Sequence, residues 1–505
     1  MIEEARKIVI IGGGIAGLCA GVYARKCGYE VEVLEMSNAA GGLASSWRRG
    51  DYTFESCLHW LLGSNPQRPM YRLWEEVFDI DKLTFVDHQE YAHLENERGE
   101  SLSIYTNVDR LESELLKHAP QDTAEILRFT SAIRRFARFR MPVPGERWPA
   151  SWLSLLRTLP YFPAFRHWSG VSIKEYGKRF THPLLRSFFE GEFGDLSAIA
   201  LLLSMAWMSE HDAGYAIGGS QAIIRLIVNN LRNLGGHLRL GAKVEKVLVK
   251  GDSAVGVQLA GGETIAADWV ISAADGHETI YELLGSEYID KVIDEMYAKR
   301  RTFPSYLQVS LGVARDLSQL PGSIIRLLDA PLLVDPGTEL NRASFRFFHF
   351  DPTFAPPGTT AVTCFLPTRN FEYWVGLERY DPAEYQAEKR RVAEALIAIL
   401  EKMIAGVRPV IEVVDVSTPA TVIRYTGNWK GSMEGWLLTP RSGFRPLRRT
   451  LPGLRRFLMV GQWVMAGGGL PSGLMTARWA ILAACKQDRV AFLPRHIAQQ
   501  IPTHA

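Results

Sequence analysis

Hydrophobic and polar positions along the chain follow two periods, each predicting a different element. The run "IVII" (Ile8 to Ile11) is apolar at every position, as in a strand covered on both faces of a parallel sheet. "LCAGVYARKCG" then places Leu18, Val22 and Ala24 at helical spacing, and "EVEVLE" predicts a second strand ending at Glu35. Further on, Ile223, Leu226, Ile227 and Leu231 recur every three or four residues and predict an amphipathic helix. "HLRLGAKVEKVLVKGDSAVGVQL" reads as strand, strand, a tight turn at Gly251 and Asp252, and strand. "SYLQVSLGV", "SFRFFHF" and "TTAVTCFLP" are β-rich, and "PAEYQAEKRRVAEALIAILEKMI" is amphipathic at helical period. "FLMV" followed by "PSGLMTARWAILAAC" predicts a last strand and helix, with Pro471 at a helix start where its missing N–H costs nothing.

Two apolar stretches need separating from membrane spans. "LSAIALLLSMAWM" (Leu196 to Met208) is too short to cross a bilayer and reads as a core helix lining a pocket. Residues 457–477 carry no charge and are long enough to cross. They contain "GGGLPSG", however, and lipid-facing backbone needs an internal partner for each polar group. This stretch reads as a loop built to hold something.

Composition narrows the class. At 505 residues the chain is too long for one simple core, so two substructures are expected. A formal net charge of +2 gives no electrostatic case for nucleic acid. Five cysteines without C-x-x-C spacing suit a reducing compartment, and the acidic N-terminus lacks the pattern of a secretory signal, so a cytoplasmic location is expected. No cluster suggests a metal site.

The first chemistry lies between the opening strands, where "GGGIAG" supplies G-x-G-x-x-G at Gly12, Gly14 and Gly17. Strand, glycine turn, helix, strand and terminal acid form a dinucleotide-binding unit. Gly12 permits the turn, Gly14 lets a pyrophosphate approach, and Gly17 lets helix close on strand. The N–H groups of the helix start face phosphate, and Glu35 accepts ribose hydroxyls.

A second glycine pair, Gly41 and Gly42, follows in "EMSNAAGGLASSW". This E-x₅-GG element, with Leu43 after it, resembles that of the flavin amine oxidase and phytoene desaturase superfamily. The stretch from Tyr215 to Asp275 resembles that superfamily's central return to its cofactor domain, and "VGQWVMAGGGLPSG" its last cofactor loop. "TPATVIRYTGNWKGSMEGW" resembles an element of the phytoene desaturase, carotenoid isomerase and retinol saturase group. The resemblance implies an α/β protein: a discontinuous Rossmann-like FAD-binding domain of glutathione reductase type, with an α+β substrate domain inserted. FAD-binding parts are expected at 1–80, 213–280 and 415–505, and substrate parts at 81–212 and 281–414. It also implies FAD held by Gly12, Gly13, Gly14, Ile15, Ala16 and Gly17, by Glu35, and by Gly41, Gly42 and Leu43. Val244 would meet adenine through its backbone, with Ala273 beside the first turn, Gly461 and Gln462 by the ribityl region, and Gly469 and Leu470 at the pyrimidine oxygen. Gln462 departs from the Asp that many relatives carry.

No second G-x-G-x-x-G is seen, so a quinone or oxygen is the expected electron acceptor. The implied substrate is apolar, polyene- or isoprenoid-like, and the reaction a desaturation, saturation or cis–trans isomerisation. "DYTFESCLHWLLGS" makes His59 and Glu55 the nearest titratable candidates for acid–base work, against structural roles for both. An amine oxidase remains a rival, with Trp429 and Trp436 as rings of an aromatic cage, and so does a non-catalytic FAD-binding protein. Residues 133–168 interleave arginines with Trp, Phe, Leu and Tyr, which fits helices packed by aromatics with arginines in solvent, or else a peripheral membrane contact or greasy entrance.

Overall fold

A computed structural model describes residues 5–141, 156–191, 193–442 and 447–494. Three distant stretches of chain meet in one five-stranded parallel sheet. Its order is His237–Arg239, Glu30–Leu34, Lys7–Ile11, Trp269–Ser272, Phe457–Met459. The central strand is covered on both faces, which is why its side chains are uniformly apolar: Ile8, Val9 and Ile10 have no exposed surface.

Two helices pack together beside this sheet: Ile15–Lys26, and Gly469–Asp488, which carries the glycine-rich stretch into the core. Their close approach depends on Gly473, where a Cβ would stand 2.7 Å from Ile15 Cγ2. Behind them a buried ion pair joins Arg478 to Glu76 at 2.7 Å, and the Tyr23 hydroxyl donates to the same carboxylate at 2.9 Å. The amphipathic helix Gly219–Asn233 buries Ile223, Ile224, Ile227 and Leu231, while the predicted Leu226 is only half-buried. A small antiparallel sheet, Val244–Lys250, Ser253–Leu259 and Thr264–Ala266, turns at Gly251 with φ +63°.

The second layer is a seven-stranded sheet in the order Ile411–Ser417, Ser305–Val313, Thr360–Thr368, Thr338–Phe347, Ser323–Asp335, Glu90–Glu95, Ser101–Tyr105. The last two strands come from the earlier part of the chain and join through a parallel pairing of Glu90–Glu95 with Ser323–Asp335. That pairing is absent from the sequence reading, as is the strand Ser323–Asp335 itself. Its pattern is broken by Pro331, which cannot donate to a ladder, and the register slips between Leu327 and Leu332. Helices Thr123–Ala137, Phe162–Ser169 and Ala198–Ser209 pack at one end of this layer.

Of the arginine- and aromatic-rich stretch, residues 142–155 lie outside the described residues. In the remainder, Phe136, Phe139, Tyr161 and Phe165 pack edge to face or tilted, with ring centroids 5.0 to 6.5 Å apart. Leu156, Leu159 and Phe162 stand exposed beside them. Among the described residues no helix is long and apolar enough to cross a membrane.

Candidate active site

The two layers enclose a continuous cavity of about 1590 Å³. Ordinary ligand pockets hold roughly 300–1,000 Å³, so there is room for more than one drug-sized molecule. The floor is backbone. Gly12 turns with φ +100°, and a Cβ on it would press on the Ala273 carbonyl at 3.2 Å. At Gly17 a Cβ would sit 1.9 Å from the Gly12 carbonyl, so the helix closes on the strand only without a side chain. Gly14 begins the helix Ile15–Lys26 and leaves its first N–H groups free to face an anion.

Of the residues expected at a cofactor, Gly12, Gly14, Ile15, Ala16, Glu35, Gly41, Gly42, Leu43, Val244, Ala273, Gly461, Gln462, Gly469 and Leu470 line this one cavity. Gly13 and Gly17 do not; they act from behind. The Gly13 N–H donates to Glu35 Oε2 at 2.7 Å and the Ser37 N–H to Oε1 at 2.8 Å, which fixes the carboxylate at the strand end. Gln462 lines the cavity but gives its amide N–H to Asn428 Oδ1 at 3.0 Å, an oxygen also reached by the Trp463 indole N–H.

The opposite end of the floor is the loop Gly467 to Gly469, with φ of +95°, +58° and +76°. Gly468, at ψ −150°, occupies backbone space that only glycine uses readily. A Cβ there would meet Glu434 Oε2 at 2.3 Å. Glu434 was not anticipated from sequence. Its carboxyl faces this loop from the stretch before Trp436, and burial pushes its pKa up to about 8, so it is largely protonated at neutral pH. Asp275, also unanticipated, accepts N–H groups from His277 at 2.8 Å, Glu278 at 3.0 Å and Trp429 at 2.8 Å. Burial still raises its pKa, to about 7.

The two acid–base candidates part company. Glu55 is absent from the cavity wall. Its buried carboxylate takes hydrogen bonds from the N–H groups of Cys57, Leu58 and Ser220 and from the Ser220 hydroxyl, at 2.6 to 3.0 Å. It braces the strand Tyr52–Glu55 against the helix Gly219–Asn233, a structural task that leaves no oxygen for substrate. His59 does face the cavity. Its ring lies 5.6 Å from that of Phe365, another residue of the cavity wall. Loss of hydration, then the Arg346 guanidinium and His88, push its pKa down to about 3, so it is a neutral imidazole.

The roof is made of side chains: Trp60, Trp207, Tyr306, Phe365, Ile325 and Leu438 all line it, with Trp60 and Trp207 6.0 Å apart. Trp429 and Trp436 do not line the cavity, which corrects the aromatic-cage expectation. Trp436 is fully buried, packs edge-on to Trp463 at 5.2 Å, and donates its indole N–H to the Trp463 carbonyl. Trp429 stacks on His277. Among the described residues the one lysine in the cavity wall is Lys243, beside Val244. No group of His, Cys, Asp and Glu among them could hold a metal ion.

A glycine-backed floor under an apolar roof defines a flavin-dependent oxidoreductase. Residues 15–481 match the family of flavin containing amine oxidoreductases, and the chain belongs to that family. It is 27% identical over 464 residues to prolycopene isomerase 1, chloroplastic, of an Oncidium hybrid cultivar, covering 85% of this chain and 76% of that protein. It is 24% identical over 507 residues to a neurosporene-forming phytoene desaturase of Cereibacter sphaeroides, covering 94% of each. Among solved structures, a redesigned putrescine oxidase superposes with a TM-score of 0.63 at 15% identity, covering 96% of this chain and 99% of that one. The fold is thus that of flavin oxidoreductases.

Proposed function

We propose that this protein holds FAD along the glycine floor and uses it to change C–C bonds in an apolar, polyene- or isoprenoid-like substrate. Bound there, the flavin supplies hydride or electron exchange with a substrate carbon. The chain's own groups bind, orient and exclude water. The first helix start receives the pyrophosphate, Glu35 the adenosine ribose, and the Val244 backbone the adenine. The N–H groups at Gly469 and Leu470 meet the pyrimidine oxygen, where a helix N-terminus stabilises negative charge. Neutral His59, protonated Glu434 and Asp275, whose pKa burial raises to about 7, are groups on the cavity wall able to exchange a proton.

The observation that carries this reading is the continuity of the cavity: side chains of the second layer and the glycine loop line one and the same space. The desaturase and isomerase names of the relatives support the same substrate class. The amine oxidase rival is supported by the fold likeness to putrescine oxidase, although Trp429 and Trp436, the rings expected for its cage, do not line the cavity. The electron acceptor fits a quinone or oxygen. The exposed Leu156, Leu159 and Phe162 suit a peripheral lipid contact, which liposome sedimentation at low salt tests directly.

The test is to purify the flavin-loaded protein, identify co-extracted lipid by mass spectrometry, and then offer a panel of neutral and acidic polyenes and of amines. Altered polyenes are expected. Peroxide from amines with every polyene unchanged would sink the proposal.

A further inference from the structure

Arg346 lies on the strand Thr338–Phe347 and faces the cavity. Its guanidinium carbon stands 5.8, 5.6 and 5.9 Å from the ring centres of Tyr215, Phe348 and Phe350. Nη2 donates to the His59 carbonyl at 2.8 Å and lies 3.3 Å from His88 Nε2. Nε is buried and has no hydrogen-bond partner in the protein. Among the described residues no carboxylate oxygen comes within 4.0 Å of this cation.

Three neighbouring acids are committed elsewhere, and Glu90, also on the cavity wall, does not come within 4.0 Å of the guanidinium. Glu55 takes its four hydrogen bonds from Cys57, Leu58 and Ser220. Asp351 accepts from the Tyr215 hydroxyl, the Gly218 N–H and Thr353. Asp87 pairs with His211 at 3.1 Å. An arginine does not shed its proton in a protein. An enclosed charge without a counter-ion is costly, and aromatic faces attract a cation without neutralising it.

The cation also sits where a head group could be received. Ser323 pairs directly with Arg346 across the two strands and faces the same cavity, as does Ser344 two residues back. Hydroxyls beside a planar fork of N–H donors are what a carboxylate binds. We infer that Arg346 anchors an anionic end of the substrate, and that the substrate is amphipathic: a long apolar chain carrying a carboxylate. This rests on the apolar-substrate reading and narrows it, since a pure hydrocarbon leaves the guanidinium without a counter-ion.

The experiment compares all-trans-retinoic acid with its methyl ester, which share one apolar chain, binding to the flavin-loaded full-length protein by calorimetry. The acid is expected to bind at least tenfold more tightly than the ester. Arg346→Gln should erase that preference while leaving ester affinity within twofold and flavin content unchanged, and Arg346→Lys should keep part of it. Equal binding of acid and ester by the native protein overturns the inference, and needs no variant to fold. Failure of both probes to bind overturns it as well, as does a preference surviving in Arg346→Gln. A failure of the broader reading looks different: no member of the polyene panel would then be altered, whatever the order of affinities.

Discussion

The floor and roof of the cavity are built from different material. The floor is main chain, shaped by glycines that let a flat, charged cofactor approach, and its tolerances are tenths of an ångström. The roof is side chain, shaped by rings and aliphatic residues whose identities can change as long as volume is kept. Cofactor affinity should therefore respond to single methyl groups on the floor, and substrate choice to larger changes on the roof.

The largest expected effect lies behind the floor. Glu76→Ala removes the buried carboxylate that pairs with Arg478 and accepts from the Tyr23 hydroxyl, and should cost about 3–5 kcal/mol of stability; a lowered denaturant midpoint checks it, and an unchanged midpoint would show the pair to be idle. Next comes Gly17→Ala, whose added methyl collides with the Gly12 carbonyl. Flavin affinity should fall about 100-fold, roughly 2.7 kcal/mol, read from flavin retained on gel filtration. If Gly17→Ala kept its flavin, the contrast between floor and roof would fail.

On the roof, Trp207→Ala removes a ring facing Trp60. Polyene affinity should drop about tenfold, near 1.4 kcal/mol, with flavin content unchanged; loss of flavin instead would mean that the two surfaces are coupled. The smallest effect concerns Glu434. Its pKa is raised in the folded protein to about 8 from a usual value of 4.5. The folded state therefore holds a proton that the unfolded chain gives up above pH ~4.5. The associated stability is whole below that value and lost as pH climbs through about 8. Glu434→Gln should flatten the stability profile across this window, and an unaltered slope in a thermal-shift series would refute the assignment.

The same contrast explains what could be read in advance. Gly12, Gly14 and Glu35 were legible because backbone approach demands glycine or an acid at fixed spacing from a strand, whereas Gly41, Val244 and Gly469 came from the family resemblance; all six line the cavity. Arg346, Glu434 and Asp275 were not legible, since each matters only through residues brought beside it by folding. Glu55 shows the converse: its place after the glycine pair suggested chemistry, while the helix start at Ser220 claims its oxygens. Trp429 and Trp436 misled in the same way, because an aromatic pair near a glycine loop looks alike whether it faces the cavity or the neighbouring core. The hairpin Glu90–Tyr105 was missed because its partner Ser323–Asp335 is interrupted by Pro331 and lies more than 200 residues away, with Arg326 and Glu95 separated by 231 positions.

The central strand of the parallel sheet has a consequence for how the chain is made. Lys7–Ile11 leaves the ribosome before the other strands of this sheet, and its neighbour on one side comes from a segment some 261 positions later. At about 5–20 residues per second, that edge stays bare for roughly 13–52 s. During that time Ile8 to Ile11 form a sticky, apolar edge, so nascent chains stalled before residue 269 should be clients of chaperones, whereas those released after Phe457–Met459 should not.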